Sequence, residues 1–215
     1  MRPMIKGIVF DFDGTIVDSM IMVFNALNDA LKKRNLPEIE AEHLGLMAGR
    51  PLVDIIRAKN SISESTAKEV EKDVFEQYVE FCTKSCMLLP HVQSTLKTLK
   101  SKQVKLGLLT TTPRKPLMSV AEKFSLQDYF DIMLAKEDSK NKPDPEGLER
   151  IIKEFGVEKE ECLFVGDSPI DILTGKAAKI KTAAVVTGIA TVQQLRKTKP
   201  DYIIHSIEKI LNYID

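Results

Sequence analysis

The sequence predicts an α/β protein built on a doubly wound parallel sheet, with a smaller all-helical unit inserted after the first strand. Two observations support this. Short apolar runs alternate with amphipathic stretches, and several runs are apolar on consecutive residues, as strands are when helices cover both faces of a sheet. Between residues 17 and 88, by contrast, there is no convincing strand run, and the apolar spacing is helical.

Six apolar runs are the predicted strands. The first, Ile8-Val9-Phe10, leads directly into Asp11-Phe12-Asp13-Gly14-Thr15. The other runs are residues 104–110, 130–135, 162–166, 182–187 and 202–204. Helical stretches are predicted beside them at residues 92–101, 115–124, 145–155, 170–178 and 206–213. Strand and helix therefore alternate, which favours parallel pairing through crossover helices.

The inserted unit is predicted to be a helical domain over residues 16–88. Helical spacing with capping-type residues at the start occurs at residues 19–34, 51–59 and 65–83. The turn at Asp13-Gly14-Thr15 and the segment around Leu89-Pro90 are the predicted hinges. The remaining residues, 1–15 and 89–215, would then form the α/β domain.

Charge and hydropathy exclude several classes of protein. Lys plus Arg and Asp plus Glu both total 31 among 215 residues, so the net charge is zero and nothing favours a nucleic-acid or anionic-membrane partner. No apolar run reaches the roughly 18 to 20 residues of a membrane span, and the start of the chain does not resemble a signal peptide. We expect a cytoplasmic protein, either a monomer or a homodimer.

Cysteine and histidine give little sign of chemistry. Three cysteines are an odd number and fit a reducing compartment. Cys82 and Cys86 would share one helix face, but nothing nearby completes a zinc site, so we expect simple burial or surface placement. The histidines are scattered, which makes a Ser-His-Asp hydrolase a poor fit.

The candidate site residues follow the predicted strands. Ligands of open α/β sheets bind beyond the carboxyl ends of the strands, so these residues should converge. Asp11 and Asp13 follow the first strand and, at a spacing of two, point to the same side of an extended chain. The other candidates, further along the chain, are Thr110, Lys142, Asp167 and Asp171.

The charges of this group indicate a metal. Four aspartates would face a single lysine, and Mg²⁺ is the small, hard cation that suits oxygen ligands. A carboxylate not needed by the metal could act as a nucleophile and form an acyl phosphate, which divides one difficult phosphoryl transfer into two easier ones. Taken singly, Asp13 could be a turn residue, Lys142 a solvated loop charge and Asp167 a helix cap. Their joint occurrence in this order favours the site.

These residues together resemble the four motifs of the haloacid dehalogenase superfamily of phosphohydrolases. The matching segments, in order, are Asp11-Phe12-Asp13-Gly14-Thr15, Thr110 at the end of an apolar strand, Lys142-Pro143, and Gly166-Asp167-Ser168-Pro169-Ile170-Asp171. The resemblance covers essentially the whole chain. It implies a Rossmann-like core, and the helical insertion resembles the type 1 cap of the phosphoglycolate phosphatase and β-phosphoglucomutase group.

The resemblance implies a role for each aspartate. Asp11 would be the nucleophile that becomes aspartyl phosphate, and Asp13 would protonate the leaving group and then activate water. Mg²⁺ would be held by Asp11, the backbone carbonyl of Asp13 and Asp167. Asp171 would support the metal or Lys142, either as a direct metal ligand or by holding one of these groups in place.

The remaining implied contacts are to substrate. Thr110 and the backbone amide of Thr111 would bind phosphate oxygens, and Lys142 would hold the charge of nucleophile and phosphate. Thr111 departs from the more usual Asn or Ser, so we expect altered substrate contact without loss of activity. Arg50 is a candidate for binding a substrate carboxylate or second phosphate, or is simply an exposed arginine before a helix. Arg114 and Lys115 are similarly ambiguous.

The function that follows is a Mg²⁺-dependent phosphatase acting on a small soluble phosphomonoester, of the phosphoglycolate phosphatase type. A β-phosphoglucomutase-type sugar mutase would share every core residue, and an inorganic pyrophosphatase also stays open. An alternative of a different class is a non-catalytic scaffold that binds phosphate or a protein. Intact Asp11 and Asp13 argue against the scaffold, because it would need neither.

Overall fold

The computed structural model describes residues 4–40 and 52–214. Within these residues six strands form one parallel sheet, in the order β3-β2-β1-β4-β5-β6. The strands are β1 (Gly7–Phe10), β2 (Lys105–Leu109), β3 (Ile132–Leu134), β4 (Cys162–Gly166), β5 (Lys181–Val185) and β6 (Tyr202–Ile204). This order, with β1 inside the sheet and the chain winding outward on both sides, confirms the predicted doubly wound fold.

The helices occupy most of the predicted positions. They are α1 (Met20–Lys32), α2 (Leu52–Asn60), α3 (Glu64–Lys84), α4 (Val92–Ser101), α5 (Arg114–Phe124), α6 (Glu146–Phe155), α7 (Pro169–Ala177) and α8 (Val192–Lys197). The stretch predicted as a last helix, residues 206–213, is the tighter 3₁₀ helix Ile207–Tyr213. The short helix α8 was not predicted, because six residues are too few to show a periodic pattern.

The two faces of the sheet bury separate hydrophobic clusters. Ile8 and Phe10 belong to one cluster, whereas Val9 between them belongs to the other. This alternation is the period of an extended strand, and it explains why the strand sequences are apolar at consecutive positions. Helix α6 covers the second face with Ile151 and Phe155.

The inserted helices have a hydrophobic cluster of their own. It contains Leu27 and Leu31 of α1, Ile56 of α2 and the first half of α3 through Val70 and Val74. We call it the cap cluster. The second half of α3 instead contributes to the first cluster of the sheet, the core cluster. The boundaries at residues 15 and 89 stay a prediction.

Cys82, at the end of α3, and Cys86 just beyond it are both fully buried free thiols in the core cluster. Burial raises the pKa of each thiol to about 12, so neither is a reactive thiolate at neutral pH. Of the two expected placements, burial and surface, burial is the one observed.

None of the helices among the described residues has both the length and the apolar character needed to cross a membrane.

Candidate active site

The site is built where β1 and β4 end side by side. Phe10 of β1 is paired with Val165 of β4, and Asp11 follows by donating its backbone N–H to the Val165 carbonyl at 2.8 Å. Asp167 comes directly after β4. Among the described residues, Asp11, Asp167 and Asp171 form a group of buried aspartates with carboxylate oxygens within 4.8 Å of one another. The predicted convergence of these three residues is therefore observed.

Asp171 is held by the first turn of α7. Ser168 caps this helix, and its hydroxyl donates to Asp171 Oδ2 at 2.6 Å while its backbone N–H donates to the same oxygen at 3.0 Å. Pro169 occupies the first turn, where its missing N–H costs nothing. A side chain at Gly166 would overlap Asp171. The carboxylate is thus fixed by a capping box and is completely buried.

Lys142 joins two of the three carboxylates. Its Nζ donates to Asp11 Oδ1 and to Asp171 Oδ1, both at 2.5 Å, and its side chain is only 5% exposed. Burial acts to lower the pKa of Lys142, but the two carboxylates outweigh burial, so the pKa lies above its usual value. Lys142 is therefore a permanent positive charge inside the site.

One lysine does not neutralise three buried carboxylates. Burial raises the pKa of Asp11 from 3.8 to about 7, with Asp171 adding to the rise and Lys142 opposing it. Burial, together with Asp11 and Asp171, also raises the pKa of Asp167 well above its ordinary value. Burial is the main cause of both shifts, and the neighbouring carboxylates add to it. An oxygen-only donor set with excess negative charge fits a hard divalent cation such as Mg²⁺.

Two glycines leave room for Asp167. Gly14 has φ +74°, and a Cβ there would lie 2.6 Å from Asp167 Oδ2. A Cβ at Gly188 would overlap the same oxygen. The Thr15 hydroxyl donates to Asp167 Oδ1 at 3.3 Å. Gly188 was not predicted, although it follows β5, the strand beside β4, and the strand-end argument could have found it.

Asp13 has a different environment, made of hydroxyl groups. Its Oδ1 accepts hydrogen bonds from Ser19 Oγ at 2.5 Å and from Tyr78 OH at 2.7 Å. Its Oδ2 accepts one from Thr112 Oγ1. Burial and the nearby Asp13 carboxylate raise the pKa of Tyr78 well above its usual value, so this phenol keeps its proton. Asp13 is half-buried, and its side chain does not belong to the group of three aspartates.

None of these three hydroxyl residues was assigned a role in the site from the sequence. Ser19 could have been suspected, because it lies six positions after Asp13 at the start of the insertion. Thr112 follows β2 by three positions and carries the same strand-end signal as Thr110. Tyr78 is 65 positions from Asp13, in the second half of a long amphipathic helix, and no local pattern marks it.

The threonine run after β2 has an inner and an outer member. Thr110 is buried, and its Oγ1 accepts a hydrogen bond from the Thr112 backbone N–H at 2.9 Å. The side chain of Thr111 is exposed.

The basic candidate residues have different surroundings. Arg114 is ion-paired with Asp138, whereas Lys115 lies exposed on the first turn of α5. Arg50 falls outside the described residues.

Fold and site together define an α/β protein with a buried acidic centre at the carboxyl edge of its sheet and a helical insertion beside it. The chain belongs to the haloacid dehalogenase-like hydrolase family, whose model matches residues 8–185. That match extends from the second residue of β1 to the end of β5 and includes the whole acidic centre. The family assignment that the motifs suggested is confirmed, and the protein is an enzyme of the hydrolase class.

Individual relatives agree with this assignment. The chain is 29% identical to pyrophosphatase PpaX of Oceanobacillus iheyensis over 98% of this chain and 97% of the relative. It is 29% identical to phosphoglycolate phosphatase of Photorhabdus laumondii over 98% of this chain and 92% of the relative. A crystal structure of a predicted phosphoglycolate phosphatase from Haemophilus somnus superposes with a TM-score of 0.83 at 26% identity, covering 98% of both chains.

Proposed function

We propose that this protein is a Mg²⁺-dependent phosphatase that hydrolyses a small soluble phosphomonoester through an aspartyl phosphate on Asp11. The observation that carries the proposal is the buried group of Asp11, Asp167 and Asp171 with Lys142 donating into it. This centre combines a carboxylate nucleophile, a cation site and a fixed ammonium group. The phosphatase-named relatives support the same reaction class.

Asp11 and Asp167 are the side chains we assign to the metal, together with the backbone carbonyl of Asp13. Asp171 has one oxygen engaged by Lys142 and the other by Ser168, so we assign it to holding Lys142 in place. When bound, Mg²⁺ supplies positive charge that offsets the aspartates and stabilises the transferring phosphoryl group.

Asp11 attacks the phosphorus of the substrate in the first step. Lys142 engages Asp11 Oδ1, so Oδ2 is the oxygen assigned to the attack. A bond from this oxygen to phosphorus forms while the bond from phosphorus to the leaving oxygen breaks. Water then attacks the phosphorus of the aspartyl phosphate, which returns Asp11 and releases inorganic phosphate.

Asp13 moves the protons in both steps. It gives a proton to the leaving oxygen and later takes one from the attacking water. A hydroxyl group can donate to a carboxylate and accept from a carboxylic acid. The hydroxyl neighbours of Asp13 can therefore hold it in either protonation state, which a lysine or arginine neighbour would not do.

Thr110, the Thr111 backbone amide and Lys142 are the groups we assign to the phosphate oxygens. The exposed side chain of Thr111 can face a substrate, which supports the proposal that its departure from the usual Asn or Ser alters substrate contact. Arg50 stays a candidate for the substrate's second anionic group.

The proposal is tested by phosphate release from a panel of compounds, with Mg²⁺ and with chelator. The panel contains phosphoglycolate, sugar phosphates, nucleotides and pyrophosphate. We expect metal-dependent release concentrated on one phosphomonoester. An Asp11→Asn variant purified in parallel controls for contaminating phosphatases. If no compound releases phosphate, the phosphatase proposal fails. Isomerisation of sugar phosphates, the mutase reaction, is then measured on the same preparation, and absence of both activities would favour a scaffold.

Pyrophosphate hydrolysis is the second candidate, and the pyrophosphatase PpaX relative favours it. The core residues would serve both reactions, since in each a phosphoryl group is transferred to Asp11. Two phosphates released per pyrophosphate, with little release from the monoesters, would select this candidate.

A further inference from the structure

We propose that Tyr78, a residue of helix α3, is a positioning residue that aligns the Asp13 carboxylate for proton transfer. The inference rests on the proposed function, in which Asp13 is the acid and base. Tyr78 OH donates to Asp13 Oδ1 at 2.7 Å, across 65 positions of sequence. Its side chain is buried, with 7% of the residue exposed.

Packing alone does not account for a tyrosine here. The ring lies in the core cluster, where a phenylalanine would fill the same space without a polar group to satisfy. A buried hydroxyl is costly unless it is hydrogen-bonded. Its partners are Asp13 and, at 3.4 Å, the Thr112 hydroxyl, which itself donates to Asp13. The phenol oxygen is therefore directed at Asp13.

The three hydroxyl groups hold both oxygens of Asp13. Ser19 and Tyr78 donate to Oδ1, and Thr112 donates to Oδ2. Donors on both oxygens restrict the rotation of the carboxylate, and proton transfer depends on such alignment. When the Tyr78 hydroxyl is removed, Ser19 still donates to Oδ1. We therefore expect the Asp13 carboxylate to be less well aligned but still able to transfer protons.

The bond also links Asp13 to the helical insertion. Helix α3 runs without interruption from Glu64 to Lys84, and Val70 and Val74 anchor its first half in the cap cluster. Tyr78 lies one turn further on, where the helix enters the core cluster. A displacement of α3 would therefore move the phenol relative to Asp13.

The test measures how kcat/KM depends on the leaving group, using a series of aryl and alkyl phosphates with wild type and Tyr78→Phe. An alkoxide leaves only with a proton from the acid, whereas p-nitrophenolate needs little help. We expect Tyr78→Phe to lower kcat/KM about tenfold for alkyl phosphates and less than about twofold for p-nitrophenyl phosphate. The variant should also lower kcat by a common factor where breakdown of the aspartyl phosphate limits turnover, since that step is the same for every substrate.

Two variants frame this result. Tyr202→Phe removes a phenol oxygen on β6, at the opposite edge of the sheet from β3, and should match wild type across the series. Thr112→Val removes the hydroxyl from the other oxygen of Asp13 while keeping the side-chain shape, and should change the series in the same direction as Tyr78→Phe. Melting temperatures of all variants are measured alongside.

If Tyr78→Phe lowers kcat/KM by the same factor for every substrate and also lowers the melting temperature, Tyr78 has only a structural role and the proposal is overturned. No change at all would overturn it too. Asp13→Asn separates this failure from failure of the proposed function. If Asp13→Asn steepens the leaving-group dependence and Tyr78→Phe does not, the acid role of Asp13 stands and the role of Tyr78 falls. If Asp13→Asn leaves that dependence unchanged, the assignment of Asp13 is the one that fails.

Discussion

Asp11 and Asp13 are separated only by Phe12, but their carboxylates lie in two adjacent regions with different surroundings. The region around Asp11 is ionic: Lys142 donates to it at 2.5 Å, and two other buried aspartates lie close by. The region around Asp13 consists of neutral hydroxyl groups from three separate segments, at Ser19, Tyr78 and Thr112. The same side chain is thus placed in two settings that suit different chemistry.

The difference shows what each setting can do. An ionic setting keeps a carboxylate charged once a bound cation balances the negative charge. A nucleophile and metal ligand must be charged in this way. A setting of hydroxyls accommodates both the acid and the carboxylate, as a proton carrier requires. The comparison therefore gives distinct expectations for the two aspartates, although they share a strand end.

The largest expected effect is the loss of turnover in Asp11→Asn, which changes the carboxylate of the ionic region. We expect turnover to fall by about 10⁴-fold or more, because an amide cannot replace the carboxylate as nucleophile. Lys142 keeps its bond to Asp171 in this variant, so the fold should be retained. Phosphate release and circular dichroism provide the two measurements. Near-wild-type turnover would show that Asp11 is not the nucleophile.

The Asp13→Asn variant tests whether the hydroxyl region acts separately from the ionic region. Loss of general acid and base catalysis should cost about 10²- to 10⁴-fold in turnover. Because the Asp13 side chain lies outside the group of three aspartates, Mg²⁺ should still raise the melting temperature of this variant. Asp167→Asn should lose that rise. If instead Asp13→Asn abolished the Mg²⁺ effect, the two regions would not be separate.

Lys142→Met tests the ionic region by stability. Removing one partner of a buried ion pair leaves the others uncompensated and typically costs about 3 to 5 kcal/mol. We expect a loss at the lower end of that range in chelator, partly recovered in Mg²⁺, measured by urea unfolding. Lys153→Met, at an exposed position on α6, is the matched control. Equal stability of the two variants would show that the buried ion pairs of Lys142 do not stabilise the fold.

The smallest expected effect is a pH dependence of metal stabilisation. The pKa of Asp11 is about 7 in the folded protein against an ordinary 3.8, so the folded state binds the proton more tightly than the unfolded state. Between pH 4 and 7, the contribution of Asp11 to the stability of the metal-free protein should therefore fall as the pH rises. Mg²⁺ replaces the proton, so its effect should grow over the same interval.

Thermal unfolding with and without Mg²⁺ measures this effect. We expect little change in melting temperature at pH 5 and a rise of about 5 °C at pH 8. Asp11→Asn removes the titrating group and should flatten the dependence, although Asp167 titrates in the same direction. An equal rise at both pH values would mean that protons and metal do not compete here.

The ionic region could be predicted from the sequence because each of its members follows an apolar strand. Strand ends of a parallel sheet converge, so Asp11 and Asp167 could be brought together before any coordinates were known. Asp171 was found because it follows Asp167 at the spacing of one helical turn. Lys142 lies in an irregular loop that also carries Lys136 and Lys140, and it was identified by the resemblance of Lys142-Pro143 to a family motif.

Within the hydroxyl region only Thr112 carries the same strand-end signal, because it lies in the loop after β2. Ser19 lies at the start of α1 and Tyr78 in the second half of α3, where serine and tyrosine are common and no strand end marks them. Tyr78 reaches Asp13 only through the packing of α3 on the core, which depends on the path of the whole insertion. Helix α8 was missed for a different reason, since six residues give no period.

The position of helix α3 also affects how the helical insertion could be exchanged between this protein and a relative. A graft that exchanged the insertion as a block ending near residue 88 would remove Tyr78, Cys82 and Cys86 from the core cluster. The α/β domain would lose buried volume together with two donors to Asp13, Ser19 and Tyr78. A working chimera would have to join within α3 itself, after Val74, so that the recipient keeps its own last turns.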